Sequence, residues 1–185
     1  MPTMTDLMRP TVYSPVSKWI HWITAILVLG ILAGGILMTR MDEGALQNQI
    51  FDMHRAFGVV VFALALARVA ARRMLGTPAP DETLSPLERR VSVGVHHSLI
   101  ALLILMPLIG WLMTSAYRVD VSVFGLFTLP HLMPKSEPIY DALSAAHATL
   151  GFLMAGLIAA HGGAAFIHRF IKKDGVMQRM LPARD

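Results

Sequence analysis

The chain predicts an all-α integral membrane fold: a four-transmembrane-helix bundle with both termini in the cytoplasm. Three observations lead there. Of 185 residues, 55% are hydrophobic and only 15% charged, with a mean hydropathy of +0.56. That is a membrane composition rather than the balance of a soluble core. Four stretches are each long enough to cross a hydrocarbon layer about 30 Å thick. Lys and Arg are divided unevenly between the segments that join those stretches, as the positive-inside tendency requires.

The first span covers residues 19–38, with His21 and Thr24 as its polar interruptions. It is too long for the apolar region of a cleavable signal and lacks a small-x-small cleavage site in a plausible place. The second covers 51–71; its charge-free part is short, and Arg68 is expected to snorkel from one end. The third, 91–117, and the fourth, 142–168, carry no charge at all. The loop with Gly76, Pro78, Pro80 and Pro86 reads as an ordinary connector. Residues 118–141 form a longer loop with Val121, Val123, Phe124, Leu126, Phe127 and Leu129, then Pro130 and Pro134. That pattern predicts an interfacial lid on the outer face. No repeat and no soluble domain is evident, so residues 1–185 read as one domain.

Orientation follows from the cations. Arg9, Lys18, Arg68, Arg72, Arg73, Arg89, Arg90, Arg169, Lys172, Lys173, Arg179 and Arg184 lie on one side. Only Arg40, Arg55, Arg118 and Lys135 lie on the other. The richer side is predicted to face the cytoplasm of a bacterial inner membrane. The net charge of +4 is thus topological, and nucleic acid is not an expected partner.

The chemistry lies in the histidines. There are no cysteines, which excludes disulfides, thiolate zinc sites, chain-held iron–sulfur clusters and covalent haem attachment. His147 and His161 are fourteen residues apart in the fourth span. Fourteen helical steps return a side chain to within about 40° of its first direction and climb about 21 Å. One helix therefore presents two imidazoles on one face, one near each membrane surface. Imidazole is a good iron ligand, and the pattern suggests two stacked haems sharing this helix. By depth, His54 pairs with His147 on the outer side. On the inner side His21 pairs with His161, with His96 or His97 as alternatives. A flat ring needs room one turn from its ligand. Gly58 follows His54, Gly151 follows His147, Ala25 follows His21 and Ala165 follows His161. Ile100 follows His96, although Ala101 follows His97. The Gly30–Gly34 spacing is expected to serve helix packing. A proton relay is the competing use of such histidines, but no Asp or Glu interrupts the first, third or fourth span.

An ordered set of motifs runs almost the full length. It begins with Ser17-Lys18-Trp19-Ile20-His21-Trp22, then Met53-His54-x-x-x-Gly58 with Arg68 and Arg72. His96 and Leu105-Met106-Pro107-Leu108-Ile109-Gly110 follow. His147, His161 and His168 come next, then Lys173-Asp174-Gly175 and Arg179-Met180-Leu181-Pro182. With these residues the chain resembles the prokaryotic cytochrome b-561 family. It is close to the small stand-alone, superoxide oxidase-like members, which are related to cytochrome b subunits of Ni/Fe-hydrogenase and formate dehydrogenase.

The resemblance implies two non-covalent b-type haems. It assigns His21 and His161 to the cytoplasmic-side iron and His54 and His147 to the outer iron. Arg55 and Arg72 become candidate partners of the haem propionates, with Arg118, Lys135, Lys18 and Arg169 as further candidates. Trp22, His96 and His168, at cytoplasmic depth, become candidates to line a quinone pocket. The expected partners are the lipid bilayer, ubiquinone as electron acceptor, superoxide or a redox protein as donor, and a second copy of the chain. The activity implied is a superoxide:ubiquinone oxidoreductase. The alternative is an electron-relay or anchor subunit of a membrane dehydrogenase or hydrogenase. The outer loops carry more anions (Asp42, Glu43, Asp52, Asp120, Glu137, Asp141) than cations, which weakens steering of an anionic substrate.

Overall fold

A computed structural model of the chain describes residues 10–181. Arg9, Pro182 and Arg184 of the sequence argument lie outside them. Four helices long and apolar enough to cross a membrane are present. They are α1 (Pro15–Met38), α2 (Ala45–Met74), α3 (Pro86–Tyr117) and α4 (Glu137–Phe166), which runs on into a π-helical turn, Ile167–Lys172. A two-stranded antiparallel hairpin, β1 (Val121–Val123) and β2 (Phe127–Leu129), lies between α3 and α4.

The helices start several residues before the apolar spans, and at α1 and α3 a side-chain cap sets the start. Ser14 accepts the Ser17 amide at 3.2 Å, and Pro15 opens α1 with a pre-set φ. Ser85 and Glu88 close a capping box on α3, with Pro86 following. Pro107 removes one ladder hydrogen bond within α3. Helix α3 ends at Arg118 in the left-handed conformation, φ 66°. The π-helical turn ends at Lys173, φ 55°.

The long third loop is the hairpin, which hydropathy alone did not show to be paired strands. Phe124 and Gly125 both have positive φ, 53° and 73°, as a tight hairpin turn of right-handed twist demands. Val121 and Val123 are buried, β1 packs on α2, and Phe57 and Phe124 meet edge to face at 5.1 Å. The Trp111 indole donates to the Pro130 carbonyl at 2.9 Å, and the Ser136 amide to the Ala116 carbonyl at 3.0 Å. These bonds hold the lid against one end of the bundle.

The other end is closed by the tail. The Trp22 indole donates to the Met180 carbonyl at 3.0 Å. Arg179 pairs with Asp81 at 3.0 Å, and Lys172 pairs with Glu88. The connector carrying Asp81 is therefore an anchor for the tail, not only a link. The two ends are called the hairpin end and the tail end below.

Helix α1 packs along α2 and α3 along α4, and α2 approaches α3 less closely. Helix α4 makes no comparable approach to α1 or α2, and Met154 is its one buried residue. The core is a small apolar cluster at mid-depth: Val28, Val61, Ala65, Leu102, Leu103 and Met154. Above and below it the interior between α4 and the α1–α2 pair holds imidazoles rather than packed aliphatic side chains.

Candidate functional site

Helical periodicity brings the four histidines together as two facing pairs. The rings of His54 (α2) and His147 (α4) have centres 6.1 Å apart at 67°. Those of His21 (α1) and His161 (α4) are 6.2 Å apart at 89°. Two imidazoles bound on opposite sides of one metal put their centres about 6 Å apart, from two bonds of about 2 Å plus the two ring radii. Both pairs match that separation. His96 does not: its ring lies 4.9 Å from His161 in an edge-on contact, too close to admit an atom between them.

The neighbouring helix orients each hairpin-end ring. His54 Nδ1 donates to the Ile31 carbonyl at 3.1 Å, which leaves Nε2 with its lone pair free. A Cβ added at Gly35 would stand 3.2 Å from His54 Cε1. Across the bundle, a Cβ at Gly110 would stand 3.4 Å from His147 Cε1. Each ring thus lies against the bare backbone of the adjacent helix. His147 Nδ1 is buried on the side of α3, where the Met106 carbonyl is its neighbouring acceptor.

Space surrounds the hairpin-end pair. Gly58, one turn beyond His54, has nothing within 4 Å of a built Cβ. An apolar cleft of about 570 Å³, lined by Ile26, Gly30, Ile31, Gly34, His54 and Phe57 among others, opens beside the ring. Gly34 packs on Ile50 as a helix contact, whereas Gly30 meets nothing and faces the cleft. The packing role expected for this glycine pair therefore holds for Gly34 alone. The facing rings and the open flank together fit a flat cofactor held through its metal.

The tail-end pair has different neighbours. Arg68 does not snorkel to the surface. Its guanidinium turns inward and donates to His21 Nδ1 at 2.8 Å. Trp22 stacks obliquely on His21 at 5.3 Å. His96 is anchored by Nδ1 to the Ser92 carbonyl at 2.6 Å. His97 is exposed and donates to Val93 on its own helix at 2.8 Å.

The remaining candidates are dispersed. His168 is bound through Nδ1 to Asp174 at 2.5 Å, and both side chains are largely buried. Arg55 reaches the Asp120 carbonyl at 3.4 Å and Asp52 at 3.3 Å, bracing the hairpin. Arg72 is half-buried in the last turn of α2. Arg118 is exposed, and Lys135 lies 3.9 Å from Glu137. The sequence argument missed the contacts of Gly35, Gly110, Arg68 and Asp174. Gly110 and Asp174 stood inside quoted motifs, but only contact geometry shows what they touch.

Four apolar helices with imidazole pairs facing across the interior define a class: a polytopic membrane bundle with paired histidines at two depths. The comparisons with known proteins make the class specific. The sequence pattern of prokaryotic cytochrome b561 matches residues 12–183, and the chain belongs to that family. It is 30% identical over 179 residues to cytochrome b561 homolog 2 of Escherichia coli K12, covering 96% of this chain and 95% of that one. It is 26% identical over 172 residues to a protein of Yersinia pestis named probable superoxide oxidase CybB, covering 93% and 97%. It is 27% identical over 177 residues to cytochrome b562 of Cereibacter sphaeroides, covering 93% and 96%. The protein is accordingly a multi-pass bacterial membrane protein of electron transfer, with b-type haem as its family's cofactor.

Proposed function

We propose that this protein is a dihaem b-type cytochrome that carries electrons across the bacterial inner membrane, from superoxide at the hairpin end to ubiquinone at the tail end. The whole chain acts as one domain, with the cation-rich tail end in the cytoplasm. The observation that carries this reading is the pair of ring separations, 6.1 and 6.2 Å, built on one shared helix.

His54 and His147 hold one haem, and His21 and His161 the other. Haem supplies a one-electron Fe(III)/Fe(II) couple. Two imidazole donors at each site would favour outer-sphere electron transfer over oxygen binding. Helix α4 sets the distance between the two sites through the rise from His147 to His161. The aliphatic cluster between them keeps the interior dry.

At the tail end, Trp22, His96 and His168 border the quinone. The Trp22 N–H and His168 Nδ1 are engaged by the tail, so Trp22 offers its ring face and His168 its Nε2. Arg55 at one end and Arg72 at the other are the candidate cations for carboxylates of the cofactor. The overall reaction takes one electron from each of two superoxide ions, takes up two protons and reduces ubiquinone to ubiquinol, releasing two molecules of oxygen. The relative named a probable superoxide oxidase supports this donor.

One observation favours a second reading, in which a redox protein is the donor and this chain is its membrane relay. Arg55 is neutralised by Asp52, and Asp120 is exposed on the hairpin and paired with His131 at 3.1 Å. That surface suits a cationic protein better than an anion. The test begins with an absorption spectrum of purified protein and the haem content per chain. A Soret band, sharp reduced α and β bands and two haems are expected. A colourless chain overturns both readings. Superoxide consumption dependent on added ubiquinone selects the first reading; haem that stays oxidised under a steady superoxide flux selects the second.

A further inference from the structure

We infer that Arg68 holds the tail-end iron at a higher potential than the hairpin-end iron, and so gives electron flow its direction. The inference rests on the dihaem assignment. A charge within a membrane interior is costly and normally paired. Among the described residues no carboxylate lies within ion-pair distance of Arg68. Its hydrogen-bond contact is the imidazole of His21, at 2.8 Å. A guanidinium only donates, so Nδ1 of His21 accepts here and the ring proton sits on Nε2. When Nε2 takes a metal, the ring proton moves to Nδ1 and that hydrogen bond is lost. Arg68 remains tethered to α2, which packs along α1, so its charge is expected to stay near the ring without that bond.

The two sites then differ in both of the levers a protein has on a bis-imidazole iron. At the hairpin end His54 donates to a backbone carbonyl, which makes the ligand more basic and favours the ferric state. At the tail end His21 has a cation where an acceptor would stand. Ferric iron carries one more positive charge than ferrous, and in a low-dielectric interior an adjacent cation disfavours it. The hairpin end has its own cation beside His54, Arg55, but Asp52 pairs with it at 3.3 Å, so both differences raise the tail-end potential relative to the other. Electrons entering beneath the hairpin would therefore run downhill toward the tail.

Potentiometric titration of the purified, haem-loaded protein tests this, with His147→Ala and His161→Ala used to assign each α band to its site. Arg68→Gln is expected to lower the tail-end potential by about 59 mV or more, a tenfold change in its Fe(III)/Fe(II) balance, and to leave the hairpin-end potential unchanged. Arg68→Lys, which keeps the charge without the fork, is expected to restore most of that shift; a merely structural arginine would not be rescued in this way. Two haems whose potentials both ignore Arg68→Gln overturn the inference and leave the dihaem assignment intact. Fewer than two haems in the unsubstituted protein overturns the assignment itself. If Arg68→Gln does not retain the tail-end haem, the order of the two potentials in the unsubstituted protein decides. A tail-end potential at or below the hairpin-end one refutes the inference.

Discussion

The two ends of this bundle hold nearly identical imidazole pairs in opposite settings. At the hairpin end each ring lies against a glycine of the neighbouring helix, one ring donates to a carbonyl, and a strand pair covers the site. At the tail end there is no such glycine. A third histidine and a buried arginine crowd the pair, and the chain's own C-terminal segment closes it. Equal ring spacing in unequal surroundings would let one helix carry the two proposed irons with different properties. Ligand identity decides what binds, and the neighbours decide how it behaves.

The largest effect should come from removing one ring of each pair. His147→Ala and His161→Ala should each lose one haem and keep most of the other, measured as haem per chain. Loss of both from either substitution would show that the ends are not independent. Next in size is Gly35→Ala. Its methyl would press on the His54 ring at 3.2 Å, tighter than ordinary contact. Haem affinity at the hairpin end should fall on the order of tenfold, the range seen when a ligand's support is disturbed, and the low-spin haem resonance of that site should shift. Gly156→Ala, where a Cβ meets nothing, should change neither. An equal response of both haems to Gly35→Ala would erase the contrast drawn here.

A smaller effect is expected at the lid. Trp111→Phe removes the indole bond to Pro130 and should lower thermal stability by about 1 kcal/mol with haem content intact. The smallest concerns acid. Thr83, through its hydroxyl at 2.7 Å and its amide at 3.1 Å, holds the Asp81 carboxyl below its ordinary range, and Arg179 adds to this. A carboxyl depressed in the folded state stabilises the fold above its unfolded value, about pH 4. That contribution disappears as pH falls through the lower, folded-state value. Proteolysis of the C-terminal segment should therefore quicken on acidification below about pH 4. Asp81→Asn should quicken it at neutral pH and flatten the acid dependence. A tail equally resistant in Asp81→Asn would show that its other contacts, among them Trp22, Lys172 and the Arg179 bond to the Ala79 carbonyl, hold it without Asp81.

Much of the architecture was legible in the sequence because a bilayer makes it so. Composition and length select four spans, and a repeat of 3.6 residues decides that His147 and His161 share a face of α4. Matching depth then brings His54 and His21 opposite them. Such signals are local and periodic, so they survive without knowledge of neighbours. The starts of α1 and α3 were readable too, in Ser14-Pro15 and Ser85-Pro86, but as caps rather than as hydropathy.

Other features depended on how the helices rotate and approach one another, which no single segment encodes. Arg68 was expected at the surface and instead turns to His21, because α1 and α2 pack closely enough to offer it an imidazole acceptor. By depth His96 stood in reserve behind His21; packing sets His96 edge-on at 4.9 Å and His21 at 6.2 Å from the same ring. Gly35 and Gly110 are unremarkable among the many glycines of a membrane chain until a ring is found against each. The sequence alone determined which residues reach each depth, since rise and periodicity are intrinsic to a helix. Only the tertiary structure decided which of them touch, since contact depends on the mutual placement of helices distant in the chain.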